Sequence, residues 1–443
     1  MYYTIKGFNQ VLSNANFRRY DKLSKKDKPI QKPQSFSSKI LPWAVFIPTL
    51  AIVLLSLVSA IFPALLTRTT SPFQGVVAMP EFVNPFQSGI IAAPLVLVNI
   101  IMLGIGFAYY KKKSKRLQEI ISKITNFELT KKQALIGVIV ILAIFVAITS
   151  SSLAKEETWV DYKGVKDRVQ SWTISQFANS FEPHMKYLLL SSSLSIFGNI
   201  RVVPFVISLA LLLLTYFITK NMTQSRFAGI VSMAVLLQSQ IFLGYSTTAS
   251  YDNSWILFYL FGLYLILRFW PPSPVSFILS IFSKALTISF LPMTLYFIAR
   301  STLPKRSKVI SLVSYGIIII SLIIGVSVMK SQIVGSNASS DMSQFWQGFS
   351  TMTMQMRFDY IIVLFLLPLT IMLFLAFRKG IIHADSIMVF ILSILFTVPL
   401  LATFTDQTNQ PYRFVSLAVF FAIGVGILLS KTRRGDELLS SKQ

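Results

Sequence analysis

Residues 40–66 read ILPWAVFIPTLAIVLLSLVSAIFPALL, an unbroken run without a single charge. A helix needs about 20 mostly apolar residues to cross the hydrocarbon of a bilayer. In that medium only helices and closed barrels satisfy their backbone hydrogen bonds. The run is continuous rather than alternating with the period of two that a barrel strand shows, so it reads as a transmembrane helix. It is too long, and begins too far from the N-terminus, to be the apolar part of a cleavable signal peptide.

The same pattern recurs along the chain. Crossings are expected near 41–66, 89–110, 134–153, 202–219, 226–245, 254–270, 275–287, 288–299, 309–329, 358–377, 384–404 and 413–430, the short seventh and eighth forming a hairpin around Lys284. With 53% hydrophobic residues and a mean hydropathy of +0.64, the fold class is an all-α polytopic membrane protein of about 12 spans with no soluble domain.

The net charge is +24, from 41 Lys and Arg against 17 Asp and Glu. If the N-terminus is cytoplasmic, about 30 of the 41 basic residues fall on the cytoplasmic side and about 10 outside, while the carboxylates show no such bias. The excess therefore sets topology, with both termini cytoplasmic, and faces membrane lipids; its placement argues against nucleic acid as a partner. Cysteine is absent, so neither disulfides nor thiol-bound metal enter the reading.

Four parts follow: a basic tail over 1–40, a two-span unit with a basic segment over 41–133, a ten-span core over 134–430, and a short tail over 431–443. The segment KKKSKRLQEIISKITNFELTKK (111–132) reads as a short basic interfacial helix. No internal repeat suggests the inverted halves of many transporters. The longest outside connection, 155–201, places Val165, Val169, Trp172, Ile174 and Phe177 at helical spacing with charged residues between them. An amphipathic helix lying in the interface is expected there, and a second over Met185 to Phe197.

The core stretch beginning EPHMKYLLLSSSLSIFGNIRVVPF resembles the GT-C membrane glycosyltransferases, in particular the protein O-mannosyltransferase and aminoarabinose-transferase branch. The matching positions are Glu182-Pro183-His184-Met185, Phe197-Gly198, Arg201 to Pro204, and Asp252 at the opening of a later span. LSIFSKALTISFLPMTLYFI (279–298) is similar to the family's short helices broken near a lysine, and NQPYRFVSLAVFFAIGVGILL (409–429) to the start of its last core span. The chain has no Asp-Glu pair after the first core span, only Glu156-Glu157 and then Asp161, and His184 stands where the family carries a second proline.

The resemblance implies transfer of a sugar from a polyprenyl-phosphate donor to an acceptor (protein, lipid or glycan) on the outer or luminal face of the plasma membrane or ER. That chemistry needs a base for the acceptor proton and cations for the leaving phosphate. Asp161 is the first candidate for the base, then Glu157, with Asp252 a second acidic residue facing the same cavity. Asp161 also reads as a solvated carboxylate balancing Lys163, Lys166 and Arg168, and Asp252 as a helix cap. Arg413, Lys284 and Arg201 are the phosphate candidates; Lys284 stands out because a cation inside a span is costly unless it faces a cavity or partner, snorkelling being the alternative. Arg413 and Arg201 read equally as anchors. His184, Glu182 and Tyr412 belong to the acceptor side or the interface. Metal-ligand spacing is absent, although outer carboxylates and waters suffice for a divalent metal. Two other classes stay open: a non-catalytic GT-C-like subunit or lipid-binding scaffold, and a transporter.

Overall fold

The computed structural model describes residues 37–62, 84, 86–159, 161–173, 176, 184–328, 345, 349, 353, 356–402 and 411–430. Among them the regular structure is entirely helical. In chain order the helices are α1 (Ser37–Ile61), α2 (Ala92–Tyr110), α3 (Lys115–Asn126), α4 (Lys131–Leu153), α5 (Tyr162–Ser171), α6 (His184–Phe197), α7 (Val202–Thr223), α8 (Arg226–Leu237) and α9 (Gln240–Tyr245). They continue with α10 (Ser254–Arg268), α11 (Ser273–Ser283), a 3-10 turn (Ala285–Phe290), α12 (Leu291–Arg300), α13 (Lys305–Val328), α14 (Tyr360–Arg378), α15 (Ala384–Ala402), a second 3-10 turn (Pro411–Phe414) and α16 (Val415–Leu428). The chain divides into two units, 1–44 and 45–443. The described part of the first is the opening of α1; all that follows concerns the second.

Among the described residues five helical stretches are long and apolar enough to cross a membrane: Ile40–Val58, Ala92–Tyr110, Lys131–Leu153, Val202–Thr223 and Tyr360–Arg378. Shorter apolar helices occupy other expected crossings. The fifth expected crossing is not one helix. It stops at Leu237 and resumes at Gln240, because Ser239 leaves the helical path to cap α9, accepting from Phe242 N at 3.1 Å. The Ser239 hydroxyl also donates to the buried Asp359, which caps α14 through Ile362 N at 3.3 Å. One polar pair thus serves two helix starts that would otherwise leave orphan N–H groups in an apolar surround.

The break expected near Lys284 is present. Lys284 is extended (φ −160°, ψ 117°) between α11 and the 3-10 turn. Ser280 bridges the gap, donating to Trp255 O at 2.6 Å and to the Thr287 hydroxyl at 3.2 Å, and Pro292 opens α12, where its missing N–H costs nothing. In the connection 155–201 the amphipathic helix is shorter than expected. α5 ends at Ser171, since Trp172 is already extended (ψ 135°); Ile174 and Phe177 lie outside the described residues. The second expected piece is α6, one residue longer at its start.

α16 is buried on almost every side, the mark of a central helix, and packs against α7, α8, α14 and α15. By contrast α2 and α4 bury only 22% and 28% of their apolar stretches and turn Ile100, Leu135 and Ile136 outward, as lipid-facing helices do. Phe145 of α4 stacks on Phe205 of α7 at 5.6 Å, joining the outer helix to the core. At Gly426 a Cβ would collide with the Ser232 hydroxyl, the Thr219 methyl and, at 2.9 Å, Ala228 O, so glycine alone permits α16 to approach α7 and α8 this closely. Gly426→Ala is expected to cost about 1–3 kcal/mol in thermal unfolding of the detergent-solubilised protein. Gly104→Ala, where a Cβ meets nothing within 4 Å, should leave the transition unchanged or slightly higher.

Candidate functional site

The site is built at the ends of α4, α7, α9 and α10, where short polar connections converge. Arg201 immediately precedes α7 and is 6% exposed. Its guanidinium donates to Thr247 O and the Thr247 hydroxyl, each at 2.9 Å, and to the carbonyls of Ser152 and Lys155. It also pairs with Glu157 (Nε to Oε1, 3.5 Å), whose side chain is 1% exposed. Glu157 in turn accepts from Ala249 N, from Ser250 N at 3.3 Å and from the Ser250 hydroxyl at 2.8 Å. The end of α4, the start of α7 and the connection 246–253 are therefore fastened through one buried ion pair with its hydrogen bonds made, the condition under which such a pair survives desolvation. Two residues expected to do chemistry, Glu157 as a base and Arg201 as a phosphate ligand, are committed to each other and to backbone.

A ledge rests on this clamp. Val165 and Val169 of α5 pack with Tyr187 and Leu190 of α6, Ile200 and Ala249. Arg168 donates to the Tyr187 hydroxyl at 3.2 Å, and Lys186 donates to Ser250 O at 2.6 Å. α6 so lies across the connection that Glu157 holds from the other side.

Beside the ledge is a cluster of rings and cations. Tyr412, on the 3-10 turn before α16, stacks on Tyr251 at 4.4 Å and 10°, and Tyr245 meets it edge-on at 6.1 Å. Trp159 stacks on Tyr245 at 5.2 Å and meets Tyr251 edge-on at 5.6 Å. The Lys284 ammonium lies 3.7 Å from the centre of the Tyr412 ring and 5.3 Å from that of Trp255; the Arg413 guanidinium lies 5.9 Å from the Tyr412 ring. Aromatic faces attract cations, but they do not neutralise them. Among the described residues no carboxylate pairs with Lys284.

Asp161 joins this cluster from the exposed side, accepting from the Tyr251 hydroxyl at 2.6 Å. Burial first, and then the bond to Asp161, hold the Tyr251 phenol above its ordinary range, so Tyr251 stays protonated and donates. The structure thus brings four expected residues together: Asp161, Lys284, Tyr412 and Arg413. Asp252 and His184 do not join this cluster. Asp252 is buried and spends one oxygen on Ser254 N (2.9 Å) and the Ser254 hydroxyl, capping the start of α10. His184 is exposed, its ring 6.5 Å from Phe282. Glu182 lies outside the described residues.

Sequence reasoning missed Trp159, Tyr245, Tyr251 and Trp255. Their only signal was aromatic residues recurring at span ends, which membrane-interface belts produce equally well. Among the described residues no three His, Asp or Glu side chains come together to hold a metal; both oxygens of Glu157 and one of Asp252 are engaged as above. No family model, curated protein or solved structure matches the chain.

Replacing Glu157 with Gln leaves a buried guanidinium without its counter-ion and should cost about 3–5 kcal/mol; the Glu157→Gln/Arg201→Gln pair should cost less than the two singles summed. Glu156 pairs with Lys166 at 2.8 Å on the surface, so Glu156→Gln should not shift the midpoint. Thermal unfolding of the four variants checks this. Equal midpoints for Glu157→Gln and Glu156→Gln would remove the clamp from the account.

Proposed function

We propose that this protein is a membrane glycosyltransferase that moves a sugar from a polyprenyl-phosphate-linked donor to an acceptor on the outer or luminal face. The observation that carries the reading is the meeting, in one aromatic cluster, of two cations with a carboxylate: Lys284 against Tyr412 beside Arg413, and Asp161 on Tyr251. A cation kept at the membrane, with no carboxylate paired to it among the described residues, favours an anionic ligand there, and a polyprenyl phosphate supplies an anion on an apolar tail. The resemblance of the core to the GT-C enzymes supports the same class, with about 12 crossings, both termini cytoplasmic, and the clamp and cluster outside.

In the reaction the acceptor hydroxyl oxygen attacks the anomeric carbon. The bond from that carbon to the phosphate oxygen breaks, and polyprenyl phosphate leaves with the electron pair. Asp161 takes the acceptor proton, being the one member of the expected acidic set that meets the cluster at its exposed edge. Lys284 and Arg413 meet the charge that grows on the phosphate. Tyr251 orients Asp161 through its hydroxyl, and Glu157 and Arg201 act by position alone.

A second reading is favoured by the commitment of Glu157 and Asp252 to structural bonds: a lipid-binding scaffold without transfer activity. Three variants separate the readings. Lipids co-purifying with the wild-type protein should include a polyprenyl phosphate or its glycoside by mass spectrometry, and Lys284→Met and Arg413→Ala should lose it. Asp161→Asn should retain the lipid but lower transfer by about 10²–10⁴-fold. Lipid retained with unchanged transfer rejects Asp161 as base, and only bulk phospholipid in every sample rejects donor binding.

A further inference from the structure

Away from the candidate site, α3 is held at both ends and only partly covered between them. At its N-terminal side α2 is fixed by Lys379, whose ammonium lies 4.4 Å from the Tyr109 ring centre. At its C-terminal side Phe127 meets Phe227 edge-on at 4.9 Å. Arg226 N donates to Glu128 at 2.9 Å, and the Arg226 guanidinium donates to Leu129 O at 2.8 Å. Ser114 caps the helix by accepting from Leu117 N at 3.3 Å, and Thr130 with Gln133 forms a capping box for α4. The helix is well specified, yet none of its residues is buried.

Its pattern is amphipathic. Leu117, Ile120, Ile121 and Ile124 fall at i, i+3, i+4 and i+7, one stripe of a helix, with Ile120 55% and Ile124 43% exposed. Arg116 and Lys123, seven residues apart, run along one flank of that stripe. Lys111, Lys112, Lys113 and Lys115 precede them, and Lys131 and Lys132 follow. Of the two acids within 111–132, Glu119 falls on the polar face of α3 and Glu128 is within 3.8 Å of Arg226, so eight Lys and Arg leave the segment a large basic excess.

The connections fix where this stripe can lie. Residues 111–114 join it to α2 and 127–130 to α4, both apolar enough to cross a membrane. Four residues extend at most about 14 Å, so α3 cannot leave the bilayer surface from which both neighbours emerge. We propose that α3 lies in the plane of the membrane, with Leu117, Ile120, Ile121 and Ile124 in the headgroup–acyl boundary and Arg116 and Lys123 on the headgroups of anionic lipids. A helix with an apolar stripe and basic flanks binds such a surface through both terms together. The proposal does not depend on the glycosyltransferase reading.

The chain contains no cysteine, so single-cysteine variants of the full protein take a nitroxide at one position. Ile120→Cys places the label on the stripe and Ser122→Cys on the polar face. In nanodiscs of phosphatidylcholine with phosphatidylglycerol, the label at 120 should be relaxed more by oxygen than by a water-soluble nickel chelate, and the label at 122 the reverse. The contrast should shrink in phosphatidylcholine alone and on adding Arg116→Glu and Lys123→Glu. Strong nickel access at both positions would place the stripe in water and overturn the proposal. Poor access of both reagents at position 120 would place protein over it and do the same. A contrast identical in the two lipids and in the charge variant would overturn the anionic-headgroup assignment.

Discussion

The candidate site depends on the ion pair between Glu157 and Arg201. Two connections that are distant in sequence meet at the start of α7 because these two side chains take up their polar groups: the carbonyls at the end of α4, and the amides of Ala249 and Ser250 with both oxygens of Thr247. Tyr251 follows this fastened stretch directly, and Asp161 lies four residues beyond Glu157. The 2.6 Å contact between them is therefore set by a bond made elsewhere. Removing one charge leaves the other buried without its partner, a far larger loss than the pair's own net contribution.

Polar residues also set where helices stop, and through that where rings point. The Ser239–Asp359 pair starts α9 so that it ends at Tyr245, at the edge of the aromatic cluster. The Ser280–Thr287 pair closes the gap around Lys284 and leaves its ammonium over Tyr412. In a bilayer, irregular backbone persists only where protein or a polar cavity satisfies it. Both breaks meet that condition and both border the cluster. Gly426 contributes from within, since the close approach of α16 to α7 and α8 holds the helix that follows directly on the 3-10 turn carrying Tyr412 and Arg413.

Much of this architecture was legible in the sequence and part was not, for physical reasons. Long apolar runs announce helices because desolvating a backbone leaves few alternatives, and the outer helix α6 was visible with nearly correct limits. The break at Ser239 was hidden because its cause is Asp359, far along the chain. α5 ended early because Trp172 leaves the helical path, which spacing alone does not reveal. Among the site residues, Asp161, Lys284, Tyr412 and Arg413 did meet, whereas Glu157 was chosen for its charge and found spent on Arg201. A carboxylate's residue type states what it can do; only its neighbours state whether its oxygens are available. Tyr251 and Trp159 were passed over because aromatics at span ends are common.

The most direct test of the central claim, that the ring-and-cation cluster is a phosphate site for a lipid, is a cryo-electron-microscopy map of the protein in nanodiscs containing a polyprenyl phosphate. The account predicts phosphate density within hydrogen-bond reach of Lys284 and Arg413, with its tail leaving toward the bilayer and Asp161 at the open side. Phosphate bound elsewhere on the protein, with Lys284 still seated on Tyr412 and no density beside it, would contradict the account.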